Sequence, residues 1–319
     1  MLTMTTLRRL WRSNALLTAA GLLMVAALAA FLAGLRLDPR VITGAPAWLK
    51  PAKFAASTAI FMFTLAWMFS YLPGWPRLRR TVGWIAAATL VLEVVLIAFQ
   101  AWRGKTSHFN VGTRLDATVF AVMGTAILVQ TASSVAVTMA LWRQPFADRA
   151  FGWALRLGMV IAILGASTGG LMTRPTAAQL ADARAGQRMT VFGAHTVGAA
   201  DGGPGLPGTG WNLQHGDLRV PHFVGLHAMQ MLPLIALLLV RRSAADAETR
   251  RIRLVWVAGV SYFMLFALLL AQALRGEALA APSQATIAAF IVWASGTTAA
   301  AWIARGGAAP LRNDAVVLG

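Results

Sequence analysis

The chain has 319 residues, 58% of them hydrophobic and only 12% charged, about half the charged share of a soluble domain. It contains no cysteine, which excludes disulfides, thiolate metal sites and cysteine nucleophiles. The apolar residues fall in runs of about 20 without period-2 alternation, which argues against a β-barrel; the formal charge of +17 is then read as basic flanks of membrane spans meeting lipid, not as a nucleic-acid surface.

The expected fold class is all-α: a polytopic transmembrane helix bundle of about eight spans, with residues 1–319 as one membrane-embedded domain. The spans are placed at 14–35, 53–72, 81–102, 115–142, 151–173, 222–240, 252–273 and 283–304. The first carries a basic flank (Arg8, Arg9, Arg12), but its apolar stretch is too long for a signal-peptide core, so it is read as a span and not a cleaved leader. Trp48 to Phe54 brings Lys50 and Lys53 to the mouth of the second span.

The third span contains Glu93 among Leu90, Val91, Val94 and Val95. A carboxylate at that depth is costly and marks a candidate site. Gln100 follows seven residues later on nearly the same helix face. The segment after it, Gln100 to Asn110, sets Arg103, Lys105 and His108 at the membrane surface. Thr113 with Asp116 matches a capping box before the fourth span.

Between the fifth and sixth spans lies a Gly/Pro-rich connection, 174–221, with nine glycines and with Phe192, His195, Trp211, His215 and Asp217. A loop of that length is either functional or a linker; its aromatic and ionisable residues favour an ordered cap. Pro221 then opens the sixth span in a run that includes His222, His227 and Gln230. His222 and His227 are five apart, about 140° around a helix, so one straight helix does not point both at one metal.

All five histidines (His108, His195, His215, His222, His227) fall on the same side of the spans. Short connections on the opposite side hold 15 of the Lys and Arg residues, against 12 on the histidine side, so both termini are expected in the cytoplasm of a bacterial-type inner membrane and the 174–221 loop outside it. The candidate catalytic residues are Glu93 and His227. Lys50, Lys53, Arg103, His108 and His222 are candidates for holding a cofactor or an anionic group, and His108, His222 and His227 for a metal. Histidine ligates haem iron, copper and zinc and shuttles protons near neutral pH, so haem b or a divalent metal ion is the expected cofactor. Glu93, Gln100, His227 and Gln230 are expected to line one polar track.

The function expected from this pattern is a membrane redox protein, with an oxidoreductase as the enzyme class and a quinone or other small molecule as partner. The alternatives are a transporter or channel for a polar or anionic solute, resting on Glu93 and Gln130, and a sensor or assembly factor whose loop binds a protein. The halves share no motif, which weakens an inverted-repeat transporter. No Walker loop, nucleophile elbow, zincin motif or dinucleotide fingerprint is present.

Overall fold

The computed structural model describes residues 4–240 and 247–306. The chain is an all-α bundle whose helices are α1 (Met4–Ser13), α2 (Ala15–Leu37), α3 (Leu49–Phe69), α4 (Pro76–Trp102), α5 (Arg114–Arg143), α6 (Arg149–Met172), α7 (Ala177–Arg184), α8 (Arg219–Val240), α9 (Ala247–Leu274) and α10 (Gln284–Gly306). Eight of them, all but α1 and α7, are long and apolar enough to cross a membrane, and the protein is a multi-pass membrane protein. Two hairpins complete the description: β1 (Val41–Ile42) with β2 (Ala45–Pro46), and β3 (Thr196–Val197) with β4 (Gly216–Asp217).

Several spans start earlier than expected, α4 at Pro76 and α9 at Ala247 among them, and two of the differences bear on the site and its surroundings. The second span starts at Leu49, because Pro51 lies in the first helical turn, where its missing N–H removes no hydrogen bond. Lys50 and Lys53 therefore ride on α3 itself. The first span is preceded by a separate basic helix, α1. Asn14 divides it from α2 by taking an extended backbone and accepting from the Leu17 amide at 2.9 Å.

Small residues set the packing. A Cβ built on Gly165 of α6 would stand 2.5 Å from the Gly225 carbonyl carbon of α8, and Gly158 meets the Ala228 backbone in the same way. These two helices touch backbone to backbone, as small residues permit between spans. Met62, Phe69, Leu141, Leu155, Met159 and Met229 fill the interior. Helix α10 packs on α9 through Trp293, whose Nε1 donates to the Ser261 carbonyl at 2.9 Å; Ile291, Val292 and Trp302 face outward, as lipid-facing residues do.

The α2–α3, α4–α5, α6–α8 and α9–α10 connections gather at one end of the bundle, the loop end. Toward the other end, Arg156 closes α5: its Nε and Nη2 donate to the carbonyls of Leu141 and Gln144 at 3.0 and 2.9 Å. Arg156 thus serves as a side-chain cap on the C-terminus of α5.

Candidate acid–base site at the loop end

The α4–α5 connection builds the centre of the site. Gln100, at the end of α4, donates to the buried Asp116 at 3.0 Å, and Arg103 pairs with the same carboxylate at 2.7 Å. Thr113 donates to its other oxygen at 2.6 Å while accepting from the Asp116 amide. This clamp fixes both ends of residues 103–113. Within it Phe109 takes a positive φ of 62°, uncommon for a bulky residue and typical of places where the surroundings over-determine the backbone. His108 and Phe109 are thereby held over the bundle, with Phe109 buried and its ring 5.5 Å from that of His195.

His108 is the hub. Its Nε2 lies 3.4 Å from Oε1 of Glu93, and its Nδ1 is 3.0 Å from Lys50 Nζ and 3.1 Å from Ser107 Oγ. An ammonium has only donors to offer, so with Lys50 charged Nδ1 accepts and the ring proton sits on Nε2, facing the carboxylate. Glu93 is 2% exposed, and its second oxygen, Oε2, has no hydrogen-bond partner. Burial, reinforced by the charges of Lys50, His195 and His222, holds the His108 pKa well below its ordinary value.

The 174–221 segment covers this hub. Backbone bonds stitch it to the connection beneath: Phe192 N to Phe109 O at 2.8 Å, Ala194 N to Met172 O at 2.9 Å and Val111 N to Thr190 O at 2.9 Å. Gly193 adopts φ 102° against the Met172 carbonyl, where a Cβ would collide. His195 Nδ1 pairs with Asp201 at 2.8 Å, and Asp201 also accepts from the Thr196 amide at 2.8 Å. Burial raises the Asp201 carboxyl, but these bonds more than offset it and bring its pKa to about 2; burial lowers that of His195. Two cations tie the cap to the bundle: Lys53 Nζ donates to the Thr209 carbonyl at 2.8 Å, and Arg219 pairs with Asp217 while donating to the Gly210 carbonyl, both at 2.6 Å.

The sequence-derived candidates therefore separate into groups. Glu93, His108 and Lys50 meet. Lys53 and Arg103 are engaged by the cap and by Asp116. His222 lies close enough for its charge to act on His108, and its Nδ1 donates to the Gly165 carbonyl at 2.8 Å. The His227 ring packs on Phe223 at a tilt of 57°, ring centroids 4.2 Å apart. Gln100 has turned to Asp116, and Gln230 donates to Thr64 at 3.2 Å, so the expected four-residue polar track is not one track.

Both nitrogens of His108 already face protein groups, and among the described residues no three His, Asp or Glu side chains are grouped to hold a metal ion. Sequence reasoning missed Asp201 and gave Asp116 only a capping role; the partners of both come from elements that one chain's spacing does not bring together. Comparison with protein-family models, curated proteins and solved structures finds no match.

Proposed function

We propose that this membrane protein is an enzyme performing acid–base chemistry on a small polar or anionic molecule at the loop end of the bundle. The observation that carries this reading is the chain Glu93–His108–Lys50, three protonatable side chains in sequence, with the buried Oε2 of Glu93 left without a partner. A proton can rest on Glu93, on either ring nitrogen of His108 or on Lys50. General acid–base catalysis needs such a positioned donor–acceptor series. In this reading the Asp201–His195 pair of the cap, whose imidazole packs on the same Phe109 ring as His108, is a second donor. A quinone or another carrier with ionisable oxygens has the matching chemistry. The orientation that goes with this reading places the loop end outside the cytoplasm, with both termini inside.

Infrared difference spectroscopy on the full chain in lipid tests it. A pH step is expected to move a carboxyl band and an imidazole band together, and both changes are expected to vanish in Glu93→Gln. A carboxyl band that responds identically in His108→Asn sinks the relay.

One observation favours a second reading, a proton-coupled carrier. Thr89 lies one turn before Glu93 on α4; its hydroxyl donates to the Ile85 carbonyl at 2.7 Å and stands 3.4 Å from Gln130 Oε1 of α5, Gln130 Nε2 reaches Ser134 at 3.4 Å, and Thr138 donates to the Ser134 carbonyl at 2.9 Å. This polar ladder leads from Glu93 toward the opposite face. Proton flux in reconstituted vesicles that falls on Gln130→Leu separates the carrier from the enzyme.

A further inference from the structure

At the end of the bundle opposite the hub, the elbow between α1 and α2 packs against the first turn of α4. Asn14 Nδ2 donates to the Arg79 carbonyl at 3.1 Å, and Arg79 Nη2 donates back to the Ser13 carbonyl at 2.5 Å. The two helix starts leave an open cavity of about 270 Å³, lined by Ser13, Asn14, Pro76, Arg79, Arg80 and Trp84 among others.

Three independent features give this cavity a sign. The N-termini of α2 and α4 converge on it, and helix N-termini favour anions. Arg79 Nε is a buried donor without a partner. Among the described residues no carboxylate pairs with either arginine: between residues 1 and 92 the only one is Asp38, which lies at the far end of α2 and is paired with Arg40. Among the described residues the acids on this end are engaged elsewhere, Asp148 by Arg251 and Glu248 by the Arg149 amide.

Trp84 fixes the setting. It stands one turn beyond Arg80 and is 62% exposed, on a face that in a membrane meets the headgroup–acyl boundary, where tryptophan concentrates.

We propose that this cavity binds the phosphate of an anionic phospholipid, with Arg79 and Arg80 on the phosphate oxygens and Trp84 against the glycerol and upper acyl chains. The site is separate from the acid–base hub and stands whether or not that reading holds. Two arginines around one phosphate give a charge-assisted, geometrically specific contact, which distinguishes it from diffuse attraction of basic residues to the bilayer.

Native mass spectrometry of the full-length protein in detergent, titrated with phosphatidylglycerol, tests the proposal. The Arg79→Gln, Arg80→Gln pair is expected to weaken the tightest binding event about tenfold, about 1.4 kcal/mol. Arg143→Gln with Arg305→Gln, which removes the same charge elsewhere, is expected to leave it unchanged. Because Arg79 also braces the elbow, Arg80→Gln and Trp84→Ala alone provide folded variants, each expected to weaken binding severalfold. Equal loss in the distant double variant, or no loss in any cavity variant, overturns the site. Displacement of the lipid by inorganic phosphate at equal concentration overturns the lipid assignment, because it makes the site one for free anions.

Discussion

Gly165 of α6 and Gly225 of α8 lie backbone against backbone, and this crossing delivers His222 of α8 to the Gly165 carbonyl at 2.8 Å. The approach exists only because neither residue has a Cβ. A methyl group on Gly165 would stand 2.5 Å from both the Gly225 carbonyl carbon and the Leu226 amide nitrogen, with backbone on all sides and no side chain able to move aside. Gly165→Ala is expected to destabilise the fold by about 1–3 kcal/mol, as overpacking does, and to detach His222 from α6. Gly170, on the same helix with open space around it, supplies the control: Gly170→Ala is expected to leave thermal stability in detergent nearly unchanged.

The clamp under the hub predicts a sign reversal between single and double variants. Asp116 is buried and takes Arg103, Gln100 and Thr113. Arg103→Ala strands a buried carboxylate, which costs about 3–5 kcal/mol. Asp116→Asn in the Arg103→Ala background removes the stranded charge and is expected to restore part of that loss. Chemical denaturation of the four proteins of the cycle reads the coupling; additive losses would show that Arg103 and Asp116 act independently.

Much of this architecture is legible from residue order. Runs of apolar residues near bilayer length mark eight spans because lipid forces every backbone polar group into a helix. Glu93 stands out because its neighbours Val94 and Leu92 leave it no plausible solvent. The partners of Glu93 are another matter. Lys50 reaches His108 across 58 positions of chain, and only the packing of α3 against α4 brings them together. The spacing of His222 and His227 correctly warned that one helix would not aim both at one metal; it gave no sign that Gly165 would take the first and Phe223 the second. Helix α7 was hidden inside a glycine-rich segment because its eight residues are too few to show a period. Nor does residue order show that Lys53 bonds to the Thr209 carbonyl and Arg103 to the Asp116 carboxylate, because both partners come from distant positions in the chain.

Topology is open to a direct measurement. The absence of cysteine means that one introduced thiol gives an unmixed signal. Ala200 in the cap and Arg77 at the start of α4 are both exposed. In intact cells Ala200→Cys is expected to react with a membrane-impermeant maleimide, whereas Arg77→Cys is expected to react only after permeabilisation. The reverse pattern would place the acid–base hub on the cytoplasmic side.

The two loop histidines contribute to the pH dependence of stability with a definite sign. His108 and His195 both have pKa values below the ordinary 6.5 when folded, chiefly through burial. The unfolded chain therefore takes up protons at these positions before the folded protein does. Their contribution is fully present above about pH 6.5 and is lost as pH falls below it, at up to about 1.4 kcal/mol per pH unit for each proton. Asp201 runs on a different window: its folded pKa of about 2 means that its contribution is present above 3.8 and is lost as pH falls through 2. Between pH 7.5 and 5 these two histidines are thus expected to lower the melting temperature in detergent, a window in which Asp201 contributes no change. His108→Asn is expected to flatten that slope by about one proton, and Asp201→Asn to lower the whole curve with its slope in this window set by the freed His195. An unchanged slope in His108→Asn would mean that the ring is as easily protonated in the folded protein as in the open chain, and the buried relay with Glu93 would lose its basis.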